Sequence, residues 1–251
     1  YGERLDGLLR ARKHQVFGVL NGIDMVDYDP AIDSRIAQTY SLDNMEGKAA
    51  CKADLQQKLG LEVNPDIPVI GMVGRLSNQK GLDLIECVIR ELMDTGIQRV
   101  VLGMGEAKYT NLFSWAESEY PGRLAARFAM NHQLAHRIYA GSDIFLMPSR
   151  NEPCGLSQMI ACRYGTVPVV RETGGLYDSI KPYYEDCNGA HGNGFTFANY
   201  EASELEERTC AALELYEKEP EKFAALRYRA LTSDFSWDAS AEKYMEMYQN
   251  M

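Results

Sequence analysis

Residues 67–81 read Ile67-Pro68-Val69-Ile70-Gly71-Met72-Val73-Gly74-Arg75-Leu76-Ser77-Asn78-Gln79-Lys80-Gly81. Ile67 to Val73 is a largely apolar run of strand length, the pattern of a parallel strand covered on both faces. A Gly-flanked loop follows it, and then a helical pattern from Gly81 to Met93. Outward from this unit the same alternation repeats. Strands are expected at Arg99 to Leu102, near Leu124 to Met130, at Ile144 to Met147 and at Val167 to Val170. Helices are expected at Met45 to Leu59, ending on Gly60, and at Thr110 to Ser118, Gln133 to Ala140 and Gly155 to Tyr164. Three more close the chain, at Ala202 to Lys218, Glu221 to Leu231 and Ala239 to Gln249. The fold class predicted is α/β, a Rossmann-like doubly wound parallel sheet whose ligands lie beyond the carboxyl ends of the strands. Asp186 to Gly194, with Asn188-Gly189 and Gly192-Asn193-Gly194, reads as a mobile surface loop.

Composition narrows the function classes. The 251 residues carry 26 Lys plus Arg against 36 Asp plus Glu, a net charge of -10. That balance disfavours the broad cationic surface of a nucleic-acid binder, so any bound anion must be held by a few local groups. Hydrophobic residues make up 45%, enough for an ordinary core. The apolar runs are too short to span a bilayer and no basic-then-apolar leader opens the chain, so no membrane role is expected. The six cysteines are scattered, without CxxC pairs, as expected of reduced thiols in a cytoplasmic protein. The chain opens on Tyr1 in a segment that reads as the interior of something longer, so a fragment is expected.

Four strand-end loops are candidates for chemistry. Arg75 and Lys80, in the loop opened by Gly74, can converge on a diphosphate, Arg by forked hydrogen bonds and Lys as a compact charge. Two solvated surface cations are the alternative. The loop lacks the Gly-Lys-Ser/Thr of a Walker motif. Leu102-Gly103-Met104-Gly105-Glu106 has Lys108 in place of a third fingerprint glycine, so it is either a close approach to a nucleoside or a plain strand exit. Pro148-Ser149-Arg150-Asn151-Glu152-Pro153-Cys154-Gly155-Leu156-Ser157 joins a buried strand to a helix. The amides of Leu156 and Ser157 there suit a phosphate, and Glu152 can accept sugar hydroxyl hydrogens or simply offset the helix dipole. Cys154 is a packing residue or a thiol on that turn. Arg171-Glu172-Thr173-Gly174-Gly175-Leu176 is either an anion nest or a turn. His132 and His136 are four apart, without the intervening Glu or third ligand of a metal site, and are read as structural or hydrogen-bonding.

In order and spacing these segments resemble the bacterial glycogen synthases and plant starch synthases, retaining GT-B glycosyltransferases. The likeness runs from Tyr1-Gly2-Glu3 and Leu20-Asn21-Gly22-Ile23-Asp24 through Arg75 to Lys80, His136-Arg137-Ile138, Pro148 to Leu156 and Thr173 to Leu176, to Asp234-Phe235-Ser236-Trp237. The resemblance implies the C-terminal, donor-binding domain of a two-domain enzyme. Residues 1–20 would be the tail of the N-terminal domain and the hinge, 21–235 the Rossmann-like domain, and 236–251 a helix that packs back on the partner domain. It implies ADP-glucose as donor, an α-1,4-glucan as acceptor and no cofactor or metal. The N-terminal domain of the same polypeptide would form the other wall of the cleft.

By the same resemblance Arg75 and Lys80 bind the ADP diphosphate and stabilise its charge, and Glu152 holds the glucose hydroxyls. Asn21 reaches the sugar from the hinge. Gly74, Cys154, Gly155, Leu156, Ser157, Thr173, Gly174 and Gly175 line the donor. A donor phosphate oxygen takes the acceptor proton. Three positions depart from the wider pattern: Ile160 where a second Glu is common, Met130 where relatives place an aromatic against adenine, and Arg4 where glycine is common. Other expectations of a different kind are a GT-B enzyme using UDP-glucose and a non-catalytic nucleotide- or glucan-binding module.

Overall fold

A computed structural model describes residues 4–187 and 189–250. Tyr1-Gly2-Glu3 and the Asn188 half of the Asn188-Gly189 turn signal lie outside the described residues. The chain begins with α1 (Asp6–Ala11) and α2 (Glu46–Leu59), then enters the alternating core. In order this is β1 (Val69–Val73), α3 (Leu82–Asp94), β2 (Gln98–Leu102), α4 (Ala107–Glu119) and β3 (Leu124–Arg127). Next come α5 (His132–Gly141), β4 (Ile144–Met147), α6 (Ser157–Arg163), β5 (Val167–Arg171) and α7 (Gly175–Ser179). The chain finishes with β6 (Tyr184–Asp186), β7 (Gly189–His191), β8 (Phe195–Phe197), α8 (Ala202–Lys218), α9 (Pro220–Leu231) and α10 (Trp237–Gln249).

Six strands form one sheet in the order β3-β2-β1-β4-β5-β8, every neighbour parallel. Both faces are covered, so Ile70, Val100, Val101, Ile144 and Val169 are fully buried. Each contributes about 1.5–3 kcal/mol from burial, which is why these runs read as continuously apolar. The strand order reverses between β1 and β4. In such sheets ligands lie outside the carboxyl ends of the strands at that switch point.

α2 departs from a simple apolar stripe, since its buried face includes Lys48, Lys52 and Gln56. Each finds partners, as burial of a polar group demands. The Lys48 ammonium donates to the carbonyls of Ala140 and Tyr164 and to Thr166 Oγ1 at 2.9–3.0 Å. Lys52 pairs with Asp143 at 2.8 Å.

The Asp186 to Gly194 reading needs correction. It is no loose connector: β6 and β7 pair as an antiparallel hairpin with Tyr184 opposite His191. The missed β8 follows and adds the sixth strand to the sheet. The five-residue α7 was likewise read as loop, its start hidden by Gly174-Gly175. β3 stops at Arg127, short of the expected Met130, and α4 begins at Ala107, ahead of Thr110.

At the two ends, α1 buries none of its residues and α10 buries only Ser240. Arg4, where the resemblance expects glycine, has φ 71°, a left-handed conformation that explains a preference for glycine there.

Candidate nucleotide-sugar site

The loop after β1 is set by its buried anchor. Leu76 is fully buried, and its amide donates to the Met104 carbonyl at 2.9 Å while its own carbonyl accepts from the Glu106 amide at 2.8 Å. The loop after β1 and the loop after β2 are thereby stitched together. One 3-10 turn, Asn78–Lys80, carries the chain to Gly81. Gly81 has φ 73°, and a β-carbon there would lie 1.9 Å from the Pro148 carbonyl oxygen. Only glycine allows the β1 and β4 loops to approach so closely.

That approach brings Lys80 to Glu152. The ammonium and the carboxylate form an ion pair across the switch point, between two loops that the sequence separates by 72 residues. Glu152 is buried and also accepts from Ser149 Oγ at 3.1 Å. Arg171, at the end of β5, fixes the same loop by donating from Nε to the Ser149 carbonyl at 2.9 Å. Ser149 and Arg171 are positioning residues that sequence reasoning missed, because neither resembles a ligand group and their partners are carbonyls and a carboxylate brought near only by folding. Arg75 sits exposed at the head of the β1 loop, and among the described residues it has no hydrogen-bond or ion-pair partner.

The β5 loop closes the third side. The Gly175 amide donates to the Glu152 and Pro153 carbonyls at 3.0 and 3.1 Å. A β-carbon on Gly175 would lie 1.9 Å from the Cys154 carbonyl oxygen. Hence Gly174 and Gly175 are beside Glu152 and Cys154, but the Gly175 amide is already committed and offers no free donor to an anion nest. The Gln158 side-chain amide spans the turn, donating to the Cys154 and Gly155 carbonyls and to Ser179 Oγ. The amides of Leu156 and Ser157, at the start of α6, have no partner among the described residues.

Beside these loops lies a pocket of 380 Å³ lined by Gly74, Arg75, Gly103, Met104, Met130, His132 and their neighbours. It continues the crevice past Arg75 and has the size and apolar walls suited to a planar base. Met130 is 84% exposed at its edge. A larger cavity, 790 Å³, opens at the amino ends of the central strands β1 and β4, beside Lys48, Lys52, Asp143 and Arg227. Both of its lysine ammonium groups are already held by protein oxygens, Lys52 also by Pro65 and Tyr216. The strand-end crevice, with Arg75 uncommitted, is the better chemical site.

Asn21 is exposed and lies apart from these loops in the hydrogen-bond network. Its neighbours form a crossing: the Ile23 amide donates to the Phe235 carbonyl at 2.8 Å, and Ser240 Oγ donates to the Leu20 carbonyl at 2.8 Å. His136 is structural. Its Nδ1 lies 2.8 Å from Asp33 Oδ2, and its ring stacks on Tyr28 with centroids 4.9 Å apart. His132 lines the small pocket instead. Among the described residues no group of three His, Cys, Asp or Glu side chains could hold a metal ion.

The family model described as "Glycosyl transferases group 1" matches residues 55–229, which takes in every strand of the sheet. The chain belongs to the group 1 glycosyl transferases. Relatives in this family include the glycogen synthases of Pseudothermotoga lettingae, 47% identical over 99% of the chain, and of Moorella thermoacetica, 49% identical over 99%. These alignments take in 51% and 50% of the two relatives, so the chain spans about half the length of the curated relatives it matches, corresponding to their C-terminal half. Among solved structures, the catalytic domain of starch synthase IV from Arabidopsis thaliana, bound to ADP and acarbose, superposes with a TM-score of 0.91 at 34% identity. That match covers 99% of this chain and 52% of the starch synthase chain. The HepE protein of Anabaena, in complex with UDP and glucose, matches at 16% identity with a TM-score of 0.65, a likeness of fold alone. This group 1 transferase domain therefore has the Rossmann-like parallel sheet that its βαβ order predicts and the GT-B architecture that the resemblance implies.

Proposed function

We propose that this chain is the donor-binding domain of a glycogen synthase that moves glucose from ADP-glucose, with retention, to the non-reducing end of an α-1,4-glucan. The observation that carries the reading is the Lys80–Glu152 ion pair at the β1/β4 switch point, with the uncommitted Arg75 at the head of the same β1 loop. Identity of 47% to a glycogen synthase and the ADP-bound starch synthase neighbour support the choice of donor.

In this reading the adenine enters the 380 Å³ pocket past Met130 and the diphosphate lies against Arg75, Lys80 and the Leu156 and Ser157 amides. Glu152 accepts hydrogen bonds from glucose hydroxyls, while Gly74, Cys154, Gly155, Thr173, Gly174 and Gly175 form the close-fitting wall. Asn21 contacts the sugar from the hinge. As the bond from the anomeric carbon to phosphate oxygen breaks, negative charge grows on the departing ADP, and Arg75 and Lys80 stabilise it. The acceptor hydroxyl attacks the anomeric carbon from the same face and gives its proton to that phosphate oxygen. No protein base or metal takes part.

The domain division belongs to the same proposal: residues 1–20 and the helix 236–251 pack on the N-terminal domain, and 21–235 hold the donor. The exposed Leu5, Leu8, Phe17, Trp237, Met245 and Tyr248 support this, as apolar side chains on elements with almost no core of their own. Among the described residues no helix is long and apolar enough to cross a membrane, and the six cysteines are free thiols, in keeping with a cytoplasmic setting. Calorimetry with ADP, ADP-glucose and UDP-glucose tests the donor. Weak adenine-selective binding by this chain is expected, with negligible turnover, because a cleft needs both walls to align donor and acceptor. No ADP binding, together with intact activity of complete Arg75→Ala and Lys80→Ala enzymes, would sink the assignment.

A further inference from the structure

We propose that the β6–β7 hairpin is a second glucan-holding surface, separate from the donor crevice, in which Tyr184, His191 and Asp186 grip hexose units of the polymer. The inference rests on the glucan-synthase reading above.

Strand alternation gives the hairpin two different faces. Tyr183 and Glu185 share one, and that face is tied to the body of the domain. The Tyr183 ring packs on Phe195 with centroids 5.6 Å apart, and the Arg229 guanidinium lies 5.8 Å from its centre. Lys222 pairs with Glu185 at 3.2 Å, and Arg229 Nε donates to the Gly192 carbonyl at 2.8 Å. The hairpin is held in one orientation by these contacts.

Its other face carries Tyr184, Asp186 and His191. Tyr184 and His191, directly opposite in the register, stack with centroids 4.7 Å apart and planes 19° apart. His191 Nε2 lies 3.0 Å from Asp186 Oδ1, which fixes the imidazole. Tyr184 remains 52% exposed. A segment that merely joined α7 to β8 has no need of a rigid aromatic pair turned outward.

An exposed ring face backed by a second ring, with a carboxylate and an imidazole at its margin, is the chemistry of pyranose recognition. The ring covers the C–H face of the sugar and the polar groups bond its hydroxyls. With no Lys or Arg among its three residues and a carboxylate present, this face favours a neutral polyol over a phosphate. The chain passes from the carboxyl end of β5 through α7 and the hairpin to the amino end of β8, which parallels β5. The platform therefore stands at the amino end of the sheet, the end opposite the donor crevice. A branched glucan held there keeps its chain ends at high local concentration near the cleft without adding a contact to the reacting sugar.

The test uses the complete polypeptide, with glycogen and maltoheptaose as probes. Native-gel retardation in glycogen and calorimetry with maltoheptaose are compared for wild type, Tyr184→Ala, Tyr184→Trp and Asp186→Asn, with half-saturating concentrations for glycogen and for maltotriose as acceptors. Tyr184→Ala is expected to weaken retardation and raise half-saturating glycogen by about fivefold or more. Its maltotriose kinetics and ADP affinity stay within about twofold of wild type. Tyr184→Trp, which keeps a ring face, retains binding. Unchanged retardation in Tyr184→Ala, equal losses in Tyr184→Ala and Tyr184→Trp, or equal losses on glycogen and maltotriose would overturn the proposal. Retardation needs no turnover, so failure of ADP-glucose transfer would strike the donor reading and leave this one to be judged by the gels.

Discussion

Lys80 and Glu152 meet as an ion pair although one belongs to the loop after β1 and the other to the loop after β4. The pairing puts a cation and a carboxylate side by side at the one place where the sheet's strand order reverses. Replacing Lys80 leaves the buried Glu152 carboxylate without its cation, so that change should cost stability as well as chemistry, whereas loss of the exposed Arg75 should bear on the chemistry alone. In the complete enzyme, Lys80→Ala and Arg75→Ala should each lower kcat by about 100-fold or more, the scale of losing one group that stabilises developing charge. Steady-state kinetics with ADP-glucose, beside a thermal melt that moves little for Arg75→Ala and falls for Lys80→Ala, would check this.

Gly81 offers a test of how the loops are joined. An alanine at Gly60 has open space around it and should cost about 1 kcal/mol for its left-handed φ of 75°. At Gly81 the same change also forces a β-carbon into the Pro148 carbonyl. Gly81→Ala should cost a further ~1–3 kcal/mol, the usual penalty for overpacking. Urea unfolding of the two variants measures the difference, and equal losses would show that the β1 and β4 loops do not depend on this contact.

Asp33 predicts an acid-side loss of stability. Burial alone would raise its pKa, but hydrogen bonds from Tyr164 and from the Arg35 side chain and backbone, with His136 alongside, hold it below the usual carboxylate value. A depressed folded pKa means that the unfolded chain binds more protons as the pH falls. The contribution is thus complete above the unfolded pKa of about 3.9 and disappears as pH drops through the folded value. Asp33→Asn should be less stable than wild type at pH 7, with the gap narrowing below about pH 4. A constant gap from pH 7 to pH 3 would count against this origin.

Removing residues 238–251 should scarcely loosen the sheet. α10 buries only Ser240, so the truncated chain should melt within about 4 °C of the original. In the complete polypeptide the same truncation should impair activity, because the helix there is proposed to cover the other domain. Calorimetry of the short chain and assays of the long one separate the two roles.

Much of this was legible in the sequence because a parallel sheet buried on both faces writes its strands as apolar runs. Val69 to Val73 and Ile144 to Met147 announce themselves in that way. Phe195-Thr196-Phe197 does not, being three residues long, flanked by glycine and interrupted by a polar side chain. The candidate residues on the β1, β4 and β5 loops are read from motifs, and the structure brings those loops together. That Lys80 would pair with Glu152, or that the Gly175 amide would be spent on carbonyls, follows from strand adjacency, which no local window contains. The same holds for Lys48 on α2, whose partners Ala140, Tyr164 and Thr166 lie 92, 116 and 118 residues along the chain.

The backbone contacts at Gly81 and Gly175 have a mechanical meaning. With no room for even one carbon between the β1 and β4 loops, or between the β4 and β5 loops, none of the three can swing without dragging its neighbour. In the proposed reading, the donor wall then moves as a single casting. The crossing of Leu20 to Ile23 over Phe235 to Ser240 is as tightly made, since a β-carbon on Gly22 would lie 2.4 Å from the Trp237 nitrogen, so in the proposed reading any opening and shutting falls to segments beyond these contacts.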